Sequence, residues 1–221
     1  MTSTPTLAAR AALTTAIAYQ TLLLLLIPLR PDLDPSWHTI SEWAIGPYGW
    51  VMTAAFLISA SSYGALLVAV RREVRGQLGK IGLALLLVCT LGTLGVGLFT
   101  TDPLDNPVDA TVSGTLHTIL GSTALLLLPF AALSINLSLL RNEAWRAARR
   151  LLLVTAFIPL IGLLGFVVYT ALFVVPMGDV HGPGVHIGWP PRFALATYTI
   201  WIATLVLARV HRTGERRSRP R

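Results

Sequence analysis

The stretch Leu22-Leu23-Leu24-Leu25-Leu26-Ile27 decides the fold of this chain of 221 residues. Every side chain in it is apolar, so neither face of a strand and no stripe of a helix would be polar. A strand of a membrane-spanning β-barrel alternates apolar with polar residues over about 10 positions. This stretch, like the leucine run 125–128, therefore predicts a helix in an apolar environment rather than a barrel strand.

The composition of the whole chain is that of a membrane protein. Apolar residues make up 54% of it and charged residues only 12%, and the mean hydropathy is +0.68. That leaves too little polar surface to cover a soluble globule. Six runs approach or exceed the roughly 20 residues that a helix needs to cross a hydrocarbon core: residues 11–29, 50–70, 81–99, 116–140, 151–175 and 192–208. We expect an all-α, polytopic integral membrane protein, a bundle of six transmembrane helices.

The same runs predict the domain organisation. Residues 1–210 form a single expected six-helix transmembrane domain, without an added soluble domain. Residues 211–221 are rich in arginine and also contain glycine, serine and proline. This composition predicts a basic, disordered cytoplasmic tail.

The basic residues predict the orientation of the helices. Fifteen of the seventeen Lys and Arg lie near the termini and in alternate connections: Arg10, Arg71, Arg72, Arg75, Lys80, Arg141, Arg146, Arg149, Arg150, Arg209, Arg212, Arg216, Arg217, Arg219 and Arg221. Because basic segments stay on the cytoplasmic side, we expect both termini to be cytoplasmic. The other connections would face outward, and they hold most of the acidic residues and histidines.

The net charge of +7 does not indicate nucleic-acid binding. It is explained by this topology and by the attraction of basic residues to anionic lipids of the inner leaflet. Membrane lipids are therefore the expected partners, and the sequence indicates no protein partner. The predominance of Arg over Lys is typical of a GC-rich bacterium, so the expected location is the bacterial plasma membrane.

The segment Pro35–Trp50, between the first two runs, contains the first candidate site residues. On a short helix, His38 and Glu42 would project from one face at positions i and i+4. Two further candidates, Asp102 and His117, lie where the third run ends and just after the fourth begins. If these ends converge, the four side chains form a mixed imidazole and carboxylate cluster suited to zinc or a similar divalent metal.

The same residues also have a purely architectural interpretation. The spacing from Thr39 to Glu42 fits a capping box, in which Glu42 reaches back to the start of a short helix. Asp102 followed by Pro103 is a good helix stop, and His117 can donate to a backbone carbonyl. Ionisable groups at membrane depth are nevertheless costly. Metal or proton chemistry, a polar pocket without metal, and architecture alone all remain open.

The connection between the fifth and sixth runs adds further polar residues. It contains Asp179, His181 and His186 among several glycines and prolines, a composition that predicts a turned loop able to cover an outer pocket. Arg192, at the start of the sixth run, is well placed to neutralise Glu42 or Asp102, or to hold a lipid phosphate.

Several of these residues carry a resemblance to a known family. His38-Thr39-Ile40-Ser41-Glu42, then Gly46, Gly49 and Trp50, and later Thr101-Asp102-Pro103 and Leu116-His117 resemble the bacterial membrane family of domain of unknown function 998. The similarity extends over nearly the whole chain. It supports six helices and points to His38, Ser41, Glu42, Asp102 and His117, but it implies no activity or substrate.

Two classes of function follow. The first is a non-catalytic membrane protein that binds or handles a lipid or small molecule in an outward-facing pocket. The second is a metal-dependent, membrane-embedded lipid hydrolase. In the hydrolase, His38, Asp102 and His117 would hold the metal and Glu42 would act as general base, while Ser41 or Arg192 would stabilise the oxyanion.

Overall fold

The computed structural model of the protein describes residues 4–104, 110–178 and 182–218. Within them the chain forms six long helices: α1 (Thr4–Leu29), α2 (Gly49–Val70), α3 (Gly76–Leu98), α4 (Val112–Leu140), α5 (Arg149–Tyr169) and α6 (Trp189–Ser218). Short helical turns lie at Ile40–Ala44, Glu143–Ala148, Thr170–Val174 and Val175–Met177. Four ionisable residues expected in the connections lie outside the described residues: Asp105, Asp109, Asp179 and His181.

The prediction of six membrane-spanning helices is confirmed. Each of the six contains or lies within a segment that is long and apolar enough to cross a membrane, from Thr6–Leu29 in α1 to Trp189–Val210 in α6; the fifth segment, Glu143–Met177, extends beyond both ends of α5. The described backbone of α6 stays helical beyond this segment, as far as Ser218. The division at residue 210 and the cytoplasmic location of both termini stay predictions.

The helices form a closed ring. Each helix packs against the next one in the chain, and α6 packs against α1. Helices α3 and α4 approach each other closely: a Cβ atom added at Gly82 would lie 3.0 Å from the backbone nitrogen of Ile135. Small residues let helix backbones approach in lipid, where no hydrophobic force drives association.

One end of the ring is held by Glu73, in the turn after α2, and we call it the Glu73 end. The Glu73 carboxylate accepts hydrogen bonds from the indole N–H of Trp145 at 2.8 Å and from Nε of Arg209 at 2.7 Å. It also pairs with Arg212. Because Trp145 follows α4 and both arginines lie on α6, one carboxylate ties three parts of the ring together.

The opposite end, which we call the His38 end, is formed by the connections from α1 to α2, from α3 to α4 and from α5 to α6. These connections contact each other directly. The backbone N–H of Gly188 donates to the carbonyl of Ser36 at 2.9 Å. The side chain of Ser41, in the α1–α2 connection, contacts His117 near the start of α4. The candidate site residues therefore lie at one end of the ring.

Candidate functional site

Glu42 occupies a short 3-10 helix, Ile40–Ala44, that follows α1. Its carboxylate accepts hydrogen bonds from the backbone N–H of Thr39 at 2.5 Å and from the Thr39 hydroxyl at 3.0 Å. Glu42 is only 7% exposed, so both contacts lie in a shielded environment. This is the reach-back half of the capping box that the spacing predicts.

Ser41, the residue before Glu42, contacts a different partner. Its hydroxyl oxygen lies 2.8 Å from Nε2 of His117, and Nδ1 of the same imidazole lies 2.7 Å from the carbonyl oxygen of Phe99. A carbonyl oxygen can only accept, so we assign the imidazole proton to Nδ1. In neutral His117, Nε2 is then the acceptor of the Ser41 hydroxyl proton.

Three elements fix this arrangement. The carbonyl of Phe99 is free because α3 ends at Leu98, and the last carbonyls of a helix lack intrahelical partners. His117 lies in the second turn of α4 and is buried. Its ring packs edge-on against Phe56 of α2, with 5.8 Å between ring centroids. The imidazole is therefore held in one orientation.

Asp102 has a structural task at the start of α4. Its carboxylate accepts from the backbone N–H of Thr111 at 2.9 Å and from the Thr111 hydroxyl at 2.7 Å. Thr111 is in turn the N-cap of α4, and its hydroxyl oxygen accepts from the N–H of Gly114. Asp102 therefore anchors the beginning of the helix that carries His117.

A cavity of about 330 Å³ opens beside the Ser41 and His117 pair. It extends into the ring as far as Leu125, which lies eight residues after His117 on α4 and so about 12 Å along the helix axis. Most of its lining is apolar or aromatic. We call it the tyrosine pocket, after the three tyrosines that line it: Tyr19 from α1, Tyr63 from α2 and Tyr198 from α6.

A second, smaller cavity lies at the same end of the ring. Its volume is about 300 Å³, and Arg30, His38 and Glu42 line it. The buried Arg30 guanidinium donates to the carbonyls of Ile45 at 2.6 Å and Pro47 at 2.9 Å. Arg30 thus joins the start of the connection between α1 and α2 to its end.

The Arg30 guanidinium also pairs with Asp32 at 2.7 Å. This hydrogen bond holds the pKa of the exposed Asp32 carboxyl below its usual range. Because its pKa is lowered, Asp32 stays ionised and paired with Arg30 at pH values where an unpaired aspartate would already be protonated. The sequence pattern does not single out Arg30, which is not among the fifteen basic residues that set the predicted orientation.

Arg192 does not pair with the acidic residues that were expected to be its partners. Both Glu42 and Asp102 are described, and no ion pair joins either of them to Arg192. Instead, one guanidinium nitrogen donates to the carbonyls of Pro35 at 3.2 Å, His38 at 3.0 Å and Gly188 at 2.6 Å. The guanidinium also stacks 4.4 Å above the ring of Trp43.

The predicted metal ligands are not brought together. In residues 4–104, 110–178 and 182–218, no three His, Cys, Asp or Glu side chains lie close enough to share an ion. His38 contacts the carbonyl of Asp34, while Asp102 and His117 have the separate partners described above. The set His38, Asp102 and His117 is therefore not assembled as a metal site, because each side chain serves a different connection.

A model of the family described as Protein of unknown function (DUF998) matches residues 11–208. The chain belongs to the DUF998 family. The match covers nearly the whole six-helix ring and confirms the resemblance inferred from the sequence. No curated protein and no solved structure matches the chain.

The tyrosine pocket of this DUF998 protein was missed by sequence reasoning. Its lining residues are spread over all six helices and three connections, and apart from Ser41 and His117 none of them was a candidate site residue. A weak signal existed in hydroxyl groups that interrupt the apolar runs at Ser59, Thr93, Thr118 and Ser122, all of which line the pocket. Their convergence depends on how each helix is rotated, which the sequence pattern does not specify.

Glu42 offers a direct test of its capping role in this DUF998 protein. Glu42→Gln should leave stability nearly unchanged, because a glutamine side-chain oxygen accepts the same two hydrogen bonds from Thr39. Glu42→Ala should lower the free energy of unfolding by about 1–2 kcal/mol, the cost of losing a cap and leaving the half-buried Thr39 N–H unpaired. Thermal unfolding of both variants checks this. A glutamine variant as unstable as the alanine variant would show that the negative charge itself matters.

Proposed function

We propose that the protein binds a lipid or another amphipathic small molecule in the tyrosine pocket, with the His38 end facing outward from the membrane. The observation that carries the proposal is the pocket itself. Its volume of about 330 Å³ falls in the range of ligand pockets, roughly 300–1,000 Å³. A mostly apolar cavity with a few converging polar groups is the usual form of such sites.

The distribution of polar groups suggests how an amphipathic ligand would lie. The polar groups of Ser41 and His117 mark the end of the pocket near the connections, and an apolar tail can extend from there between the helices. Along this path the hydroxyls of Thr93, Thr118 and Ser122 line the pocket and make no hydrogen bond with another described residue. They can serve as partners for polar atoms of the ligand.

The outward orientation is supported by the basic residues. Arg71, Arg72, Arg75 and Lys80 follow α2 or begin α3, at the Glu73 end of the ring. Positively charged connections favour the cytoplasmic side, so the opposite His38 end would face outward. The pocket would then be open to molecules on the outer side or in the outer leaflet.

Filling the pocket is the sharpest test. Ser59 is 4% exposed and lines the pocket, whereas Ser61, two residues later on α2, is exposed on the outside of the ring. Ser59→Leu should reduce the amount of co-purified ligand at least several-fold, because the larger side chain occupies its space. Ser61→Leu makes the same chemical change facing lipid and should have no effect.

The measurement is mass spectrometry of small molecules and lipids extracted from the purified variants. Both variants are first compared by thermal unfolding, so that a folding defect is not mistaken for loss of binding. A compound bound to the wild type and to Ser61→Leu but lost from Ser59→Leu supports the proposal. Equal recovery of every bound compound from both variants would contradict it.

A further inference from the structure

We propose that Ser41 and His117 form a nucleophile and base pair that cleaves a carboxylic ester of an amphipathic molecule held in the tyrosine pocket. This inference rests on the proposed function, because the pocket must first bind the ester. It differs from the metal-dependent hydrolase expected from the sequence, since it requires no metal. It also assigns Ser41 a different part, as nucleophile rather than oxyanion donor.

The geometry of the pair matches that of an activated serine. The distance of 2.8 Å between the Ser41 hydroxyl oxygen and Nε2 of His117 lies within the range for a nucleophile and its base, about 2.6–3.2 Å. A third group orients such a base, usually a hydrogen-bond acceptor on the other ring nitrogen. Here the carbonyl oxygen of Phe99, 2.7 Å from Nδ1, takes that place.

The surroundings of the pair fit an acyl-transfer reaction. Ser41 is half-buried and faces the pocket, while His117 is buried behind it. The pocket lining is mostly apolar or aromatic and suits the hydrocarbon chain of an acyl group. Thr118 lines the same pocket, and its hydroxyl makes no hydrogen bond with another described residue, so it can donate to the oxygen that becomes negative in the tetrahedral intermediate.

The reaction would proceed in two balanced steps. In the first, Oγ of Ser41 attacks the ester carbonyl carbon and passes its proton to Nε2 of His117. The carbon–oxygen bond to the leaving alcohol breaks, and that oxygen takes the proton, which leaves acyl-Ser41. In the second step, water attacks the acyl carbon and gives a proton to His117. The acid leaves, and the proton returns to Ser41.

A fluorophosphonate probe tests the pair without knowledge of the natural ester. Oγ of Ser41 would attack its phosphorus atom, fluoride would leave, and His117 would take the hydroxyl proton. We expect a phosphonyl adduct on the peptide that contains Ser41, measured by mass spectrometry of purified protein in lipid nanodiscs. Labelling should persist in a metal chelator.

Two variants and one control complete the experiment. Ser41→Ala should abolish the adduct, and His117→Gln should slow labelling at least 100-fold, within the range typical of general-base catalysis, about 10²–10⁴. Ser113→Ala removes an exposed serine hydroxyl at the same end, where it donates to the Thr100 carbonyl, and should label like the wild type. Thermal unfolding confirms that each variant is folded.

The outcomes separate this inference from the proposed function. Absence of an adduct on Ser41 in folded wild-type protein would overturn the inference, as would equal labelling rates in His117→Gln or loss of labelling in the chelator. The co-purified ligand measured with Ser59→Leu and Ser61→Leu is independent of this chemistry. If a ligand is bound but Ser41 forms no adduct, the proposed binding function stands and the hydrolase inference is wrong. The contact between Ser41 and His117 would then have only a structural role.

Discussion

Replacing Glu73 with alanine should destabilise the protein by about 3–5 kcal/mol, the range measured when one partner of a buried ion pair is removed. The Glu73 side chain is 14% exposed and that of Arg209 is 8% exposed, so solvent screens their attraction little. The same carboxylate accepts from the Trp145 indole. Its loss would remove one anion from two arginines of α6 and one acceptor from the segment after α4.

Glu143 offers a matched control at the same end. It pairs with Arg149 at 2.6 Å, but the two side chains are 76% and 42% exposed. An exposed pair contributes about 0–1 kcal/mol, so Glu143→Ala should be mild. Cys89 is buried and is the one cysteine of the chain, so a thiol-reactive dye reports unfolding as the temperature rises. Equal melting temperatures for the two alanine variants would refute the role assigned to Glu73.

Replacing Arg192 with methionine should have the second-largest effect, a loss on the order of 2–4 kcal/mol from hydrogen bonds with a charged donor. One guanidinium nitrogen serves three carbonyls, and those of Pro35 and His38 belong to the connection between α1 and α2. The stacking on Trp43 would also be lost. The connection that carries Ser41 would then be released from α6.

Arg192→Lys separates charge from geometry. Lysine keeps the positive charge but lacks the planar guanidinium that stacks on Trp43, so it should recover only part of the lost stability. Arg72→Met, at an exposed arginine of the other end, provides the control for removing one positive charge. Melting temperature and Ser41 labelling are measured together, and both should fall for Arg192→Met. Full stability with methionine at position 192 would contradict this account.

The architecture was largely predictable because its determinants are local. The runs around Leu22–Leu26 and the leucines at 125–128 are apolar on every face, and their lengths match a membrane, so helix number and type follow directly. The contact between Glu42 and Thr39 was equally predictable, because capping depends on a spacing of three residues within one segment. For His117, donation to a backbone carbonyl was one of the alternatives left open.

The functional geometry was not predictable in the same way. The expected metal set joined His38, Asp102 and His117 because the sequence predicts that they lie on one side of the membrane. In the structure, Asp102 contacts Thr111 and His38 contacts the carbonyl of Asp34. Ser41 was singled out, but its contact with His117 spans 76 residues of sequence. A prediction that residues lie on the same side of the membrane does not specify which of them contact each other.

The sequence by itself determined that the protein is a six-helix membrane bundle, and which polar residues gather at its His38 end. Only the tertiary structure decided that Ser41 meets His117, that Arg192 holds carbonyls rather than carboxylates, and that a pocket opens among three tyrosines. The physical reason is that helices apolar on all faces carry little information about their rotation. Their relative rotation is set by close packing, such as Gly82 against Ile135, and by hydrogen bonds between distant segments.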